Sequence, residues 1–282
     1  MADGQVDDEG GGTYGSVEAA QAWRRSAVSR SILLAPLTER MLDLAGVADG
    51  HRVLDVAAGT GEQTVLAARR VGPNGSVLAV DLSPQMLALA AETAKQAGLR
   101  NVETRVLDAR NLDVKPESVD AAISRFALML IPERAKALAG IRRSLKPGKK
   151  FAALVLGTAD ECPFIALPLG IAAGRAGAPR APFKDPGMFA LGDPTVLETT
   201  YQQAGFREVA IETVPVERRF PSLAAAMQTC RDILPEIPEL MVNVSETERA
   251  AAWLEIEATL RTFENADGIV FPQTYLIAVG TK

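Results

Sequence analysis

Three aspartates stand where ligand chemistry would need them. Asp55, Asp81 and Asp108 close the apolar runs VLD, SVLAVD and VETRVLD, and they lie 26 and 27 residues apart. Such runs read as buried strands, and a carboxylate at the carboxyl end of a strand faces the crevice where open α/β sheets bind ligands. After Asp55 the chain continues through Ala57, Gly59 and Gly61 into a helix over 62–71. Glycine is favoured in that turn because it accepts φ > 0 and lets a ligand approach the backbone. One glycine loop is a weak signal, but a loop followed by two more strand-end acids in register describes a nucleotide-type cofactor site.

Other chemistry-bearing residues are sparse. His51 is the only histidine. It precedes the first strand, at the end of the sheet opposite the crevice, and so reads as a surface residue. If the reaction needs a general base, the base must be a carboxylate, a tyrosine or the substrate itself. Tyr14, just ahead of the first helix, and Asp160 and Glu161, after the fifth strand, are the candidates. Cys162 and Cys230 are the two cysteines. They fit a reducing compartment and cannot build a metal cluster, so no metal is expected.

The elements that must position these residues follow from pattern. The 282 residues are 48% hydrophobic and 23% charged with a formal net charge of -5, ordinary values for one globular domain with an added cap. The acidic balance gives no footprint for nucleic acid. Residues 1–13 are acidic and glycine-rich and read as a disordered tail rather than a signal peptide. The chain has no apolar run long enough for membrane insertion, so a cytoplasmic protein is expected.

A helical stretch over 16–46 carries Trp23, Val28, Ile32, Leu37, Met41, Leu44 and Ala45 on an intermittent apolar face. Strands follow over 52–56, 76–80, 102–107, 119–124 and 150–156. One intervening helix is capped by Ser83 with Pro84 at its first position and Gly98 beyond its end; another starts near Glu133 and stops at Lys146-Pro147-Gly148. Strands alternating with helices mean βαβ units and a doubly wound parallel sheet. The stretch 157–194, rich in proline and glycine, reads as a mobile segment lined by Phe164, Phe183, Met188 and Phe189. Helices over 195–204, 223–234 and 246–263 and strands over 207–216 and 273–279 complete the chain. A single domain over 14–282 results, with its cofactor core at 47–156 and cap or lid segments at 14–46, 157–194 and 220–265; the oligomeric state stays open.

In these motifs the chain resembles the class I S-adenosylmethionine-dependent methyltransferases, most closely the branch around the menaquinone and ubiquinone biosynthesis enzymes. VLDVAAGTG matches the glycine loop, AVDLSPQML the second strand and its helix, LDARNL the third strand end, DAAISRFALMLIP the fourth, and SLKPGKKFAAL the entry into the fifth. The similarity covers 14–156 motif by motif and then only the order of elements. It implies an α/β fold with a doubly wound, mostly parallel, seven-stranded Rossmann-like sheet, an antiparallel last strand and a helical cap. It also implies S-adenosyl-L-methionine as cofactor. Ala57, Gly59, Thr60 and Gly61 would meet its methionine part mostly through backbone, and Asp81 would accept both ribose hydroxyls. Leu82 and Met86 would sandwich the adenine, Asp108 would take its amine, and Ala109 would offer a backbone N–H. Asp55 would order the loop or meet the ammonium group, and Arg125 would present its carbonyl to that group. Ala57 departs from the family pattern, which has glycine there. Each role has a plainer counterpart, since a strand-ending aspartate also caps helices and Met86 at helical spacing with Ala90 also packs a core.

Two other readings stay open. GTGEQT after a strand, with Asp81 20 residues past Gly61, suggests an NAD(P)-dependent oxidoreductase, but Thr64 occupies the position that needs Gly or Ala. A non-catalytic cofactor-binding protein would also keep the motifs. Among acceptors, SRFAL after the fourth strand lacks the motif of amino-methylating DNA enzymes, and two cysteines are too few for thiol-rich arsenical enzymes. A small, largely apolar acceptor remains, aromatic, quinol or polyketide-like, methylated on oxygen or activated carbon. Phe126, Met129, Phe164, Phe183 and Phe189 are the residues expected to hold it.

Overall fold

The structure is a computed structural model and describes residues 17–282. Tyr14 and the expected tail at 1–13 lie outside the described residues. The strands are β1 (Arg52–Val56), β2 (Ser76–Asp81), β3 (Val102–Val106), β4 (Val119–Arg125), β5 (Leu145–Leu156), β6 (Arg207–Phe220), β7 (Glu264–Asn265) and β8 (Gly268–Thr281). The helices are α1 (Val17–Arg25), α2 (Ala27–Leu44), α3 (Glu62–Val71), α4 (Pro84–Gln96), α5 (Arg134–Ser144), α6 (Pro163–Arg175), α7 (Pro194–Gln203), α8 (Leu223–Ile233), α9 (Glu236–Leu240) and α10 (Glu246–Arg261).

The strands form one sheet in the order β3-β2-β1-β4-β5-β8-β6. β1 to β5 run parallel, and β8 is antiparallel to both of its neighbours. Val53, Leu54, Val77, Leu78, Ala121 and Ala122 are all buried, the near-continuous apolar run that a strand covered on both faces requires. Helices supply the cover. α3 and α4 lie beside β2, and α8, α9 and α10 form a cap inserted between β6 and β7. Ion pairs from Arg24 to Glu92 and from Arg25 to Asp232 tie α1 to α4 and α8.

The doubly wound sheet and its antiparallel last strand agree with expectation, while several boundaries differ. Eight strands replace the expected seven, because the two-residue β7 folds back on the start of β8. The helical stretch over 16–46 breaks at Ser26 into α1 and α2. β5 starts at Leu145, which pairs with Val119, so the helix before it ends at Ser144 ahead of the Lys-Pro-Gly signal. β6 extends to Phe220 because its pairing with β8 continues to Ile269.

The segment 157–194 differs most. Pro163 and Pro194 occupy first-turn positions of α6 and α7, where the missing N–H has no partner to lose, so they start helices rather than break them. α6 then buries Phe164, Ile165 and Leu169. Residues 157–162 and the stretch after α6 are irregular, apart from one 3-10 turn at Ala181–Phe183. Among the described residues, no helix is long and apolar enough to cross a membrane.

Candidate active site

A cavity of about 620 Å³ opens at the carboxyl ends of β1, β2 and β4 and runs to the inner face of β6 and β8. Its size is within the roughly 300–1,000 Å³ of small-molecule sites, and its position is the crevice where doubly wound sheets bind ligands. Asp81 and Asp108 lie at one end, Arg218 and Tyr275 at the other.

The first end is built mainly on backbone. The Asp81 carboxylate accepts the N–H of Gly59 and of Ser83, each at 2.9 Å. Burial pushes this carboxyl above its ordinary value while those N–H groups pull it back. One bond per oxygen leaves acceptor capacity for a vicinal diol. Gly59 has φ +57°, and a Cβ there would meet nothing within 4 Å, so its bare backbone faces open cavity. Leu82, 40% exposed, and buried Met86 wall the same end. Asp108 caps the 3-10 turn at Ala109–Asn111 by accepting the Arg110 N–H at 2.8 Å. The Arg110 guanidinium also grips it, Nε at 2.9 Å and Nη2 at 2.7 Å, and holds the carboxyl below its usual range. Ala109 and Arg110 line the cavity beside it.

Asp55, Thr60 and Gly61 support the loop from below, which for Asp55 is one of the two roles expected of it. Asp55 is fully buried and accepts the Thr64 hydroxyl at 2.6 Å and the Gln63 amide at 3.3 Å. With neutral donors around it, burial pushes its carboxyl up to about 6. It orders the loop and the first turn of α3, and it does not line the cavity. The buried Thr60 hydroxyl is bonded to the Glu62 carboxylate at 2.9 and 3.0 Å. Gly61 has φ +87°, and a Cβ there would fall 2.8 Å from the Ala90 Cα, so its bare surface serves the packing of α3 on α4. Ala57 lines the cavity at φ +56°, the left-handed region glycine enters without strain.

A charged layer follows. Glu62, the first residue of α3, accepts Arg30 at 2.6 Å and Arg125 at 3.4 Å; Arg125 also donates to the Thr38 hydroxyl at 3.1 Å. Both arginines are buried and line the cavity. Burial brings Arg30 down to about 10, with Glu62 opposing the shift. Arg125 therefore contributes a buried guanidinium, a side-chain role beside the carbonyl role expected of its main chain. Arg30 also stacks over Trp23, its guanidinium carbon 4.2 Å from the ring centre.

The remaining expected residues divide. Phe126 and Met129 line the cavity; Phe126 lies 5.5 Å from the Tyr275 ring. Phe164 does not line it: it is fully buried against Phe220 at 4.7 Å and Phe271 at 5.1 Å, a core aromatic. Phe183 and Phe189 stack on each other at 5.8 Å outside the cavity, and Phe183 borders a separate surface depression with Asp160 and Arg175. Glu161 is occupied by the Thr158 N–H and hydroxyl, at 2.9 and 2.8 Å, so it closes a turn. Neither acid lines the cavity. His51 accepts the Ala48 N–H at 3.3 Å, remote from the cavity. Burial pushes the free thiols of Cys162 and Cys230 up to about 11 and about 12, which makes them poor nucleophiles.

Sequence reasoning missed Arg30, Glu62, Arg110, Arg218 and Tyr275. Arg218 had a readable signal: it shares strand parity with Val214, Val216 and Phe220, so an arginine occupies an inward position. The reading that ended the strand at 216 hid it.

A model of a methyltransferase domain matches residues 53–148. Arsenite methyltransferase of Halobacterium salinarum is 38% identical over 108 residues, 38% of this chain and 28% of that one. Aklanonic acid methyltransferase of a Streptomyces species is 32% identical over 42% of this chain and 53% of that one. Demethylmenaquinone methyltransferase of Bacillus cytotoxicus is 33% identical over 48% of this chain and 51% of that one. The chain spans about half the length of these relatives or less. Among solved structures, phosphoethanolamine N-methyltransferase 2 of Haemonchus contortus, in complex with S-adenosyl-L-methionine, has a TM-score of 0.55 at 21% identity, covering 88% of this chain and 52% of that one. The [4+2]-cyclase SpnF has a TM-score of 0.54 at 21% identity, covering 88% and 80%. Over residues 53–148 the chain carries a methyltransferase domain, and in that stretch it is similar to the ubiquinone and menaquinone biosynthesis methyltransferases.

Proposed function

We propose that the protein transfers the methyl group of S-adenosyl-L-methionine to an oxygen or activated carbon of a small, largely apolar acceptor. The observation that carries this reading is the continuity of one cavity from the Asp81 carboxylate to Tyr275. Donor and acceptor would meet in a single water-poor space. The residues present fit the cofactor: Asp81 has acceptor capacity for a ribose diol, the bare backbone at Gly59 leaves room for the methionine part, and Leu82 and Met86 flank a flat ring. Asp108 and Ala109 supply an acceptor and an N–H beside them.

When bound, the cofactor supplies an already electrophilic methyl group. The chain's task is then alignment and exclusion of water, effects worth up to roughly 7–11 kcal/mol in favourable systems. Phe126 and Met129 flank the acceptor's path, and Trp23 on α1 closes one wall. Among the described residues Tyr275 is the one tyrosine on the cavity, with its phenol raised by burial and lowered again by Arg218. In this reading the acceptor is a small molecule rather than nucleic acid, in keeping with the net charge of -5, and the protein works in the cytoplasm.

An oxidoreductase is disfavoured because the Thr64 hydroxyl is committed to Asp55 where close packing calls for glycine or alanine. A fold that keeps the cofactor but performs another reaction is the second reading, favoured by the likeness to a cyclase. Calorimetry with S-adenosylhomocysteine and NADH, followed by mass spectrometry of a phenol and quinol panel incubated with the methyl donor, separates them. Cofactor binding with a gain of one methyl group on an acceptor is expected. Tighter binding of the dinucleotide, or no methylated product from any acceptor class, overturns the proposal.

A further inference from the structure

The cavity holds three buried arginines, and their company differs. Arg30 and Arg125 share Glu62. Arg218 is equally enclosed, 7% exposed, and among the described residues no carboxylate lies within ion-pair distance of it. Its guanidinium stands 4.6 Å from the ring centre of Phe164 and 5.4 Å from that of Phe220, so its flat faces are covered by aromatics. Its other neighbour is Tyr275, on the cavity with it. Rings satisfy the face of a guanidinium but not the five in-plane donors at its edge.

Buried charges in proteins are paired, because removing one from water without a counter-ion is costly. The strand parity of β6 makes the arrangement specific. Arg218 occupies an inward position where Val214, Val216 and Phe220 carry apolar side chains, and Phe164 and Phe220 hold the guanidinium in place. A fork of donors fixed beside a phenolic hydroxyl, facing a cavity otherwise rich in apolar side chains, matches a planar carboxylate joined to an apolar body.

We propose that the acceptor is an organic acid, and that Arg218 with Tyr275 binds its carboxylate at the end of the cavity away from Asp81. This rests on the methyltransferase reading for the identity of the pocket and narrows its substrate class. The carboxylate anchors the apolar ring system, and its chelation by Arg218 fixes which atom is presented at the cofactor end. Bidentate geometry also explains arginine over lysine, since an ammonium would offer a point charge with no fork.

The test uses the full chain loaded with S-adenosylhomocysteine and two probes, anthraquinone-2-carboxylate and anthraquinone-2-carboxamide, which share a ring system and differ in charge. Calorimetry is expected to show at least tenfold tighter binding of the carboxylate. In Arg218→Met, which keeps the length of the apolar stem, that preference should collapse to about one; in Arg218→Lys it should survive in part. Circular dichroism and retained S-adenosylhomocysteine affinity establish that each variant is folded, and the wild-type comparison stands even if a variant is not. Equal binding of both probes by the wild type, failure of both to bind the loaded protein, or a preference that persists in Arg218→Met overturns the proposal. Failure of S-adenosylhomocysteine itself to bind overturns the methyltransferase reading instead, and is seen separately before any probe is added.

Discussion

The two ends of the cavity are made by different means. At the Asp81 end bare backbone at Gly59 stands beside a few side chains, and the residues come from four short runs at the ends of β1, β2, β3 and β4. At the Arg218 end the wall is side chain, contributed by α1, α2, β6, β8 and the inserted cap. The first end therefore offers the same kind of surface to any ligand with a ribose and a flat base. The second is shaped residue by residue, and on the proposed reading specificity for the acceptor would reside there. Glu62 joins them, because it follows the glycine loop in sequence while its carboxylate turns into the arginine layer.

The largest effect expected from that contrast is at Glu62. Glu62→Gln leaves Arg30 and Arg125 enclosed without their carboxylate, and breaking a buried pair from one side costs about 3–5 kcal/mol. Urea unfolding should report a loss of that size. A loss below about 1 kcal/mol would mean that the arginine layer is wetter than its burial implies, and the two ends would differ less than described.

Asp55 provides the corresponding test beneath the glycine loop, where the hydrogen bonds to the buried acid come from the neutral Thr64 and Gln63. Its carboxyl is raised from 3.8 to about 6, so the folded protein holds the proton more tightly than the unfolded chain. This contribution to stability is fully present below the unfolded value and is lost as pH rises through about 6, up to about 3 kcal/mol at 1.36 kcal/mol per pH unit. Asp55→Asn carries no such proton, so its stability relative to wild type should climb between pH 4 and 7. A difference that stays flat with pH would show that Asp55 is better solvated than its burial indicates.

The same contrast explains what could be read from the sequence. The placement of Asp81, Gly59 and Asp108 on the cavity was legible because it is local: each stands at or just after the end of a strand, and the spacing of the acids repeats. Phe164 was misplaced because an apolar residue in a proline-rich stretch looks the same whether it lines a pocket or fills a core. Here α6 turns it inward against Phe220 and Phe271, partners more than 50 residues away. Arg218 lies beyond the expected end of its strand because β6 continues to pair with β8 as far as Phe220, a contact between segments distant in sequence with no local signal, whereas Tyr275 falls inside the expected last strand, where its pattern does not separate a cavity residue from a core one. The fold was legible down to its parallel core for the same reason as the glycine loop, whereas the cap depends on long-range packing.

Asp81→Ala should remove the charged acceptor for a ribose diol at about 1.5–3 kcal/mol, a loss on the order of 10- to 100-fold in S-adenosylhomocysteine affinity. Acceptor-end probes should be unaffected in the same variant. If cofactor affinity were unchanged, Asp81 would serve only the turn that its bonds to Gly59 and Ser83 describe. If both kinds of ligand weakened together, the two ends would be one coupled site.

The smallest effect expected is a gain. Ala57 departs from the family's glycine, and the structure places it at φ +56°, where an L-residue's Cβ crowds the following carbonyl at about 1–2 kcal/mol. Ala57→Gly relieves that crowding. The replacement also loosens the unfolded chain, which gives back roughly 0.5–1 kcal/mol. A net stabilisation of about 0.5–1 kcal/mol should remain, read as a rise in the urea midpoint at constant slope. Cofactor affinity should hold or improve, since the contact expected there is made by backbone. Destabilisation instead would mean that the Ala57 methyl packs against the cavity wall strongly enough to outweigh its strain. The glycine loop would then depend on a side chain as well, and the contrast between the two ends of the cavity would be narrower.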